Sequence, residues 1–335
     1  MAEEIPFRRR LVVSFALLIF AAPAAAEVLC EHFDSDAGAL INTFYDGFLV
    51  GDDYCLFDAD RVNPNEVPAL IEGPPSAAKL RMYYVNGANA RSDTFLTQLS
   101  EIRALHDVAL VGVYNAAGLN LTERISPRRE TLGDPAADTV VTVILDHLER
   151  DEPVHLHGFS EGASLIADAI AEVQRRLERR LRWPGAVGRK LSLIRVETSG
   201  GVAVRYPDGP EYVHYVNMMD PMVHLMGVLR PGAEPGANAV IVRFNDAVYP
   251  IETRFRKLPG PALALLHFHG FWAYQKNRQD FESMREHARK IGSRSVVVRV
   301  AGCCGVIKGG AREAVLASES SPDPESSDVA SSPSL

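Results

Sequence analysis

The chain has 335 residues, 47% of them hydrophobic, with a formal net charge of −8 and a pI near 5.7. That length and apolar content suit one large domain or two small ones and exclude global disorder. The acidic balance, with no basic stripe interleaved with aromatics after residue 10, excludes a nucleic-acid binder.

At the N-terminus, Arg8-Arg9-Arg10 precede an apolar run over 11–22, and Ala24-Ala25-Ala26 supply a small-x-small cleavage pattern before Glu27. Residues 1–26 read as a secretory signal peptide, too short for a comfortable membrane span. The paired arginines also permit the twin-arginine export route. The mature chain is expected in the periplasm or outside the cell, with no stable membrane span after cleavage. In such an oxidising compartment the four cysteines become disulfide candidates. Cys30 with Cys55 is the expected pair, and one of the adjacent Cys303 and Cys304 is the rival partner, since vicinal cysteines rarely bond each other without distortion. No C-x-x-C spacing suggests zinc.

Residues 27–78 are irregular, punctuated by Pro64, Pro68, Pro74 and Pro75, and read as an N-terminal extension lying across the main domain. Order sharpens from 79. An apolar, aromatic strand over 79–85 ends in Asn86-Gly87, and a helix follows over 92–105, with Ser92 as its cap. Residues 108–114 are nearly all apolar, as in a parallel strand covered on both faces. The turn-rich stretch 115–135 is long for a plain connection and is a candidate lid or cap. A helix over 136–150, a strand over 153–158 and a long helix over 160–181 come next.

Trp183-Pro184-Gly185 breaks that helix, whose basic cluster (Arg175, Arg176, Arg179, Arg180, Arg182) is interspersed with Glu172 and Glu178 and reads as a solvated face. Strands are expected over 191–197, 212–216 and 239–244, an amphipathic helix over 271–291, and a last apolar segment over 295–300. The Ser-, Pro- and acid-rich tail 318–335 is expected to be disordered. Strands alternating with helices predict an α/β fold over 79–317, a mostly parallel open sheet with helices on both faces and its active site at the carboxyl ends of the strands.

The chemistry gathers around Gly158-Phe159-Ser160-Glu161-Gly162, a G-x-S-x-G between an apolar strand and a helix. The pattern has a steric logic: the serine stands in a strained strand-to-helix turn, and glycine-sized neighbours let the two elements approach. A plain helix start capped by Ser160 is the alternative. A serine nucleophile needs a base and an acid to orient it. Asp220 lies just past a strand end in Asn217-Met218-Met219-Asp220-Pro221; a helix cap before Pro221 explains it too, and the two roles are compatible. His269 is the first choice for the base and His267 the second. An oxyanion hole would combine the N–H of Glu161 with one from the Asn86-Gly87 turn, a sequence that also suits an ordinary turn. Met218, Met219, Met222, Leu225, Met226 and Phe271 suit either the core or an acyl pocket.

The succession VNGANARSDTF, VGVYNAAG, HGFSEGAS, YVNMMDPMVHLMG and HFHGFWAY, covering about 80–274, resembles bacterial members of the α/β-hydrolase superfamily of lipase and esterase type. The resemblance implies a three-layer sandwich, Ser160 as nucleophile, Asp220 as acid, His269 as base, Gly87 and Glu161 near the oxyanion, a small-molecule or lipid ester substrate, and no cofactor. Phe159 departs from the histidine that many lipases carry there. Two rival readings remain: an α/β-hydrolase-like binding protein without turnover, and a metal-dependent hydrolase using His155-x-His157 and His267-x-His269.

Overall fold

The computed structural model describes residues 31–33, 43–72, 80–116, 133–181, 183–246, 268–299 and 315–317. The expected signal peptide, most of the candidate lid, His267, the tail, Cys30, Cys303 and Cys304 lie outside the described residues. The chain divides into residues 1–30 and a unit spanning 31–335, and every element below belongs to the second.

A ten-stranded sheet organises the fold. Two short strands, β1 (Leu49–Val50) and β2 (Leu56–Phe57), come from the N-terminal extension. β3 (Leu80–Val85), β4 (Val108–Val113), β5 (Val154–Phe159), β6 (Ile194–Ser199), β7 (Glu211–Asn217), β8 (Val240–Phe244), β9 (Ser295–Arg299) and β10 (Val315–Ala317) follow. Their order across the sheet is β10-β9-β8-β7-β6-β5-β3-β4-β1-β2. From β9 to β4 all neighbours are parallel; β1, β2 and β10 pair antiparallel at the two edges. Parallel pairing needs crossovers, and helices supply all but the one from β6 to β7, which holds no helix over 200–210: α1 (Ser92–Leu105), α2 (Pro135–Glu149), α3 (Glu161–Arg180), α4 (Pro184–Leu191), α5 (Pro221–Leu225), α6 (Phe271–Gln275) and α7 (Phe281–Ile291).

The two-residue period of the strands divides their side chains between two cores. Tyr83 and Val85 pack with Val140, Ile144, Leu165 and Ile166 of α2 and α3. Met82 and Tyr84 pack on the other side with Phe95 and Leu99 of α1, Tyr274 of α6 and Phe281 of α7. Helices therefore cover both faces, giving the three-layer α/β arrangement expected from the sequence. The strand order reverses at β3, which lies between β4 and β5. The crevice at the carboxyl ends of β3 and β5 is thus the topological switch point, where open α/β sheets bind ligands.

Four local expectations need correction. The segment expected as a strand from 191 begins as helix α4: Pro184 starts it at a position where a missing N–H costs nothing, so β6 begins only at Ile194. The helix expected over 271–291 is two helices. Asp280 caps α7 by accepting the Ser283 N–H at 2.9 Å, and Arg278 in the intervening turn points into the protein. Ser92 is the first residue of α1 rather than its cap; Arg91 holds the cap position without a side-chain bond. The extension contributes to the sheet itself, since β1 continues it beyond β4 and Thr139 Oγ1 donates to the Gly47 carbonyl at 2.6 Å.

Within the basic cluster Arg175, Arg176, Arg179 and Arg180 are exposed, with Arg175, Arg176 and Arg179 converging on Glu172. Cys55, the described member of the expected pair, is buried.

Candidate active site

The turn from β5 into α3 holds Ser160 at φ 52° and ψ −117°, a region that costs a non-glycine residue about 1–3 kcal/mol. The surroundings impose it. Ser160 N–H donates to the Ser199 carbonyl at 2.9 Å, and the Ser160 carbonyl accepts from Ala163 and Val202, both at 3.2 Å. The glycines on either side permit the approach: a methyl at Gly158 would stand 2.5 Å from Ala163 N, and one at Gly162 2.2 Å from the Val85 oxygen. The hydroxyl of Ser160 makes no capping bond to α3, so the plain helix-start reading does not account for it. Instead Oγ lies 2.8 Å from His269 Nε2.

His269 stands in the turn before α6, and its Nδ1 is 2.6 Å from Asp220 Oδ2. A carboxylate there accepts a hydrogen bond from Nδ1–H and so keeps the proton on that nitrogen, which leaves Nε2 as acceptor for the Ser160 hydroxyl. Asp220 follows β7 and is fully buried. Its second oxygen, Oδ1, accepts the Met222 N–H at 2.9 Å and caps α5, so the capping and acidic positions coincide in one side chain. Asn217, buried at the end of β7, donates through Nδ2 to the Phe268 carbonyl at 3.1 Å. That bond ties the strand carrying the acid to the turn carrying the histidine.

Gly87 follows β3, and a methyl on it would come within 3.0 Å of Ser160 Cβ and 3.2 Å of Phe159 Cδ1. Backbone at this position therefore lies directly beside the serine. Glu161 opens α3, where first-turn amides lack partners within the helix. The Asn86 side chain is engaged elsewhere: Nδ2 donates to the Asn115 carbonyl at 2.7 Å and Oδ1 accepts the Asn115 N–H at 2.8 Å. It clamps the ends of β3 and β4 together and so fixes where Gly87 stands.

Three comparisons with known proteins bear on the chain. No protein-family model and no curated protein sequence matches it. Solved structures similar to it include RedJ, a thioesterase from the prodiginine biosynthetic pathway in Streptomyces coelicolor, 20% identical over 56% of this chain and 89% of that one, with TM-score 0.31. Another is YbtT, a type II thioesterase from the yersiniabactin pathway, 17% identical over 60% of this chain and 68% of that one, with TM-score 0.23. A third is Aspergillus fumigatus lipase B, 13% identical over 50% of this chain and 37% of that one, with TM-score 0.26. Superpositions this loose carry no argument about chemistry; fold and site rest on strand order and on the distances above.

Around the site, Phe159 stacks on the His269 ring, centroids 5.4 Å apart and planes 28° apart, and meets Phe271 edge-on. Met219 and Leu225 are 46% and 65% exposed, which rules out the core reading for those two. Met218 packs partly against the core on the α2–α3 side, and Phe271 against the core on the other. His155 and His157 project from β5 into the buried layer on the Tyr84 and Phe281 side: His155 Nε2 is 2.7 Å from Glu197 Oε1 and His157 Nε2 3.0 Å from Ser199 Oγ. Burial lowers the His157 imidazole to about 3. No cluster of three or more metal-ligating side chains occurs among the described residues.

Tyr274 and Asn217 went unassigned in the sequence reading. Asn217 opens the Asn-x-x-Asp-Pro run, which was the available signal for it. Tyr274 had no signal beyond standing in the apolar run after His269.

Proposed function

We propose that the protein is an exported serine hydrolase that cleaves an ester-type bond, whether carboxylic ester, lipid or thioester, through an acyl-enzyme on Ser160. The observation carrying this reading is the continuous hydrogen-bond line from the buried Asp220 carboxylate through His269 to the hydroxyl of a backbone-strained serine.

In this reading Ser160 Oγ attacks the acyl carbonyl carbon while His269 Nε2 takes its proton, and Asp220 keeps the imidazole in the required tautomer and balances the imidazolium. Negative charge then rests on the former carbonyl oxygen. The amides of Glu161 and Gly87 flank the serine and are the donors proposed to hold that charge. His269 returns the proton to the departing alcohol or thiol. Water, deprotonated by the same nitrogen, attacks the acyl-serine and releases the acid, so every proton is accounted for within the triad. Phe159 stacks against the imidazole and helps hold the ring in place. Export rests on the signal-peptide pattern of residues 1–26, and the Cys30–Cys55 pairing is proposed with it.

A fluorophosphonate probe tests the reading. Wild-type protein is expected to be labelled, and Ser160→Ala and His269→Ala to escape labelling while unfolding at an unchanged temperature. An unlabelled wild type would favour the binding protein without turnover. Labelling of Ser160→Ala would place the nucleophile elsewhere.

A further inference from the structure

Asp220 Oδ2 receives two donors. Besides His269 Nδ1 at 2.6 Å, the phenol of Tyr274 donates to the same oxygen at 2.5 Å. The same phenol oxygen accepts the Asn217 N–H at 3.4 Å, so Tyr274 is anchored from both sides. Its ring is enclosed by Phe159 and Phe244, with centroids at 6.1 and 5.4 Å. Gly200 closes the remaining side, since a methyl there would stand 2.9 Å from the ring. Tyr274 is fully buried, so its hydroxyl must find its partners inside the protein. Tyr274 and His269 lie five positions apart on one short segment, so the base and the second donor reach Asp220 together.

We infer that Tyr274 is a positioning residue that tunes His269 through Asp220, by drawing off part of the carboxylate's hydrogen-bonding capacity at the very oxygen the imidazole uses. The inference rests on the triad reading above. A hydrogen bond to a charged acceptor stabilises its ionised form and weakens its pull on other partners. With the phenol in place, Oδ2 is shared between two donors and holds the imidazolium less tightly than an unshared carboxylate oxygen would. Burial, then the charge of Asp220, push the phenol well above its ordinary range, so it remains a donor across the working pH.

Among the described residues, the charged and titratable groups on the elements around His269 are these. α3 and its entry bring Ser160 and Glu161. The β7–α5 turn brings Asp220, with His224 beyond it bonded to the Met218 carbonyl. α6 brings Tyr274, followed by Lys276 paired with Asp246 from the end of β8. Replacing Tyr274 by phenylalanine alters only the phenol among them.

The test measures the rate of fluorophosphonate labelling of the full chain against pH, in wild type and Tyr274→Phe. Loss of the phenol leaves Oδ2 wholly to the imidazole. The acid limb of the profile is then expected to move up by roughly 0.5–1 unit, with the alkaline plateau reduced less than about tenfold. A residue that merely fills space would lower the plateau and leave the limb where it is, and a coincident limb overturns the inference. Site-specific 3-fluorotyrosine at 274 keeps shape and hydrogen bond and strengthens the donor. Its limb is expected to move down, which keeps the test decisive even where Tyr274→Phe fails to fold. A wild type that takes no label overturns the triad reading and this one together; a labelled wild type with unmoved limbs overturns only this one.

Discussion

Arg278 grips Glu197 through two parallel hydrogen bonds, Nε to Oε2 at 2.6 Å and Nη2 to Oε1 at 2.7 Å, where neither side chain is more than 6% exposed. Burial alone would raise the Glu197 carboxyl, but Arg278 and His155 outweigh it and hold the group well below its ordinary range. Because Arg278 lies in the turn between α6 and α7, the bridge also pins the segment that follows His269 to strand β6. Glu197→Gln is expected to cost about 3–5 kcal/mol by leaving a buried guanidinium without its counter-charge. Glu197→Leu combined with Arg278→Met is expected to recover most of that loss. Urea unfolding of the three proteins checks it, and a single variant costing under about 1 kcal/mol would mean the pair is hydrated.

Acid stability follows from the buried imidazoles. Burial lowers His106 and His214 to about 4 and His157 to about 3, against an ordinary 6.5. Groups whose folded value is depressed bind fewer protons folded than unfolded, so their contribution is complete above 6.5 and is lost as pH falls toward those values. Asp46 works in the opposite sense: burial first, then the Asp134 charge, raise it to about 6 although the Ala116 N–H opposes the rise, so it adds stability as pH falls toward 4. These four groups alone, three imidazoles against one carboxyl, leave a net of about two protons, or roughly 3 kcal/mol lost per pH unit in the steepest part of the window between 6.5 and 4; His147, lowered by burial, and Asp138, raised by it, act in opposite senses. Unfolding free energies at pH 7, 6 and 5 should decline with that accelerating slope. A flat profile would show that these rings take up protons in the folded state.

The two glycines Gly162 and Gly188 predict opposite outcomes for one substitution. A methyl at Gly162 meets backbone oxygen at 2.2 Å, whereas one at Gly188 in α4 meets nothing within 4 Å. Gly162→Ala is expected to destabilise by about 1–3 kcal/mol or more through forced backbone shifts. Gly188→Ala is expected to stabilise by roughly 0.5–1 kcal/mol through helix propensity. Thermal and urea unfolding of both variants distinguish them.

At Gly87 the expected effect falls on chemistry. The added methyl of Gly87→Ala would crowd Ser160 Cβ at 3.0 Å while β3 and the Asn86 clamp stay as they are. Fluorophosphonate labelling should slow by about tenfold or more, with an unfolding temperature close to wild type. Unchanged labelling would remove this turn from the site.

The features legible from the residues alone are local ones. The alternation of apolar strands with helices of period 3.6 specified a mostly parallel α/β sheet. G-x-S-x-G specified the turn at Ser160, because the clash that demands glycine at 158 arises with Ala163, five positions away, although the clash at Gly162 is with Val85 of β3 and belongs to the packed sheet. Asp220 was legible as a helix cap for the same reason, its partner being Met222. Tertiary structure decided the rest. His269 meets Ser160 across 109 positions, and only the sheet order brings those two turns to one crevice.

The break between α6 and α7 is invisible in an amphipathic pattern, because its cause is a carboxylate 81 positions away on β6 that draws Arg278 inward. Tyr274 reads as one more apolar aromatic until the fold sets Asp220 at its hydroxyl. The physical reason is common to all three: periodicity and steric rules act within a few residues, whereas a buried polar group takes whichever partner the packed chain delivers, and its desolvation cost makes that partner obligatory.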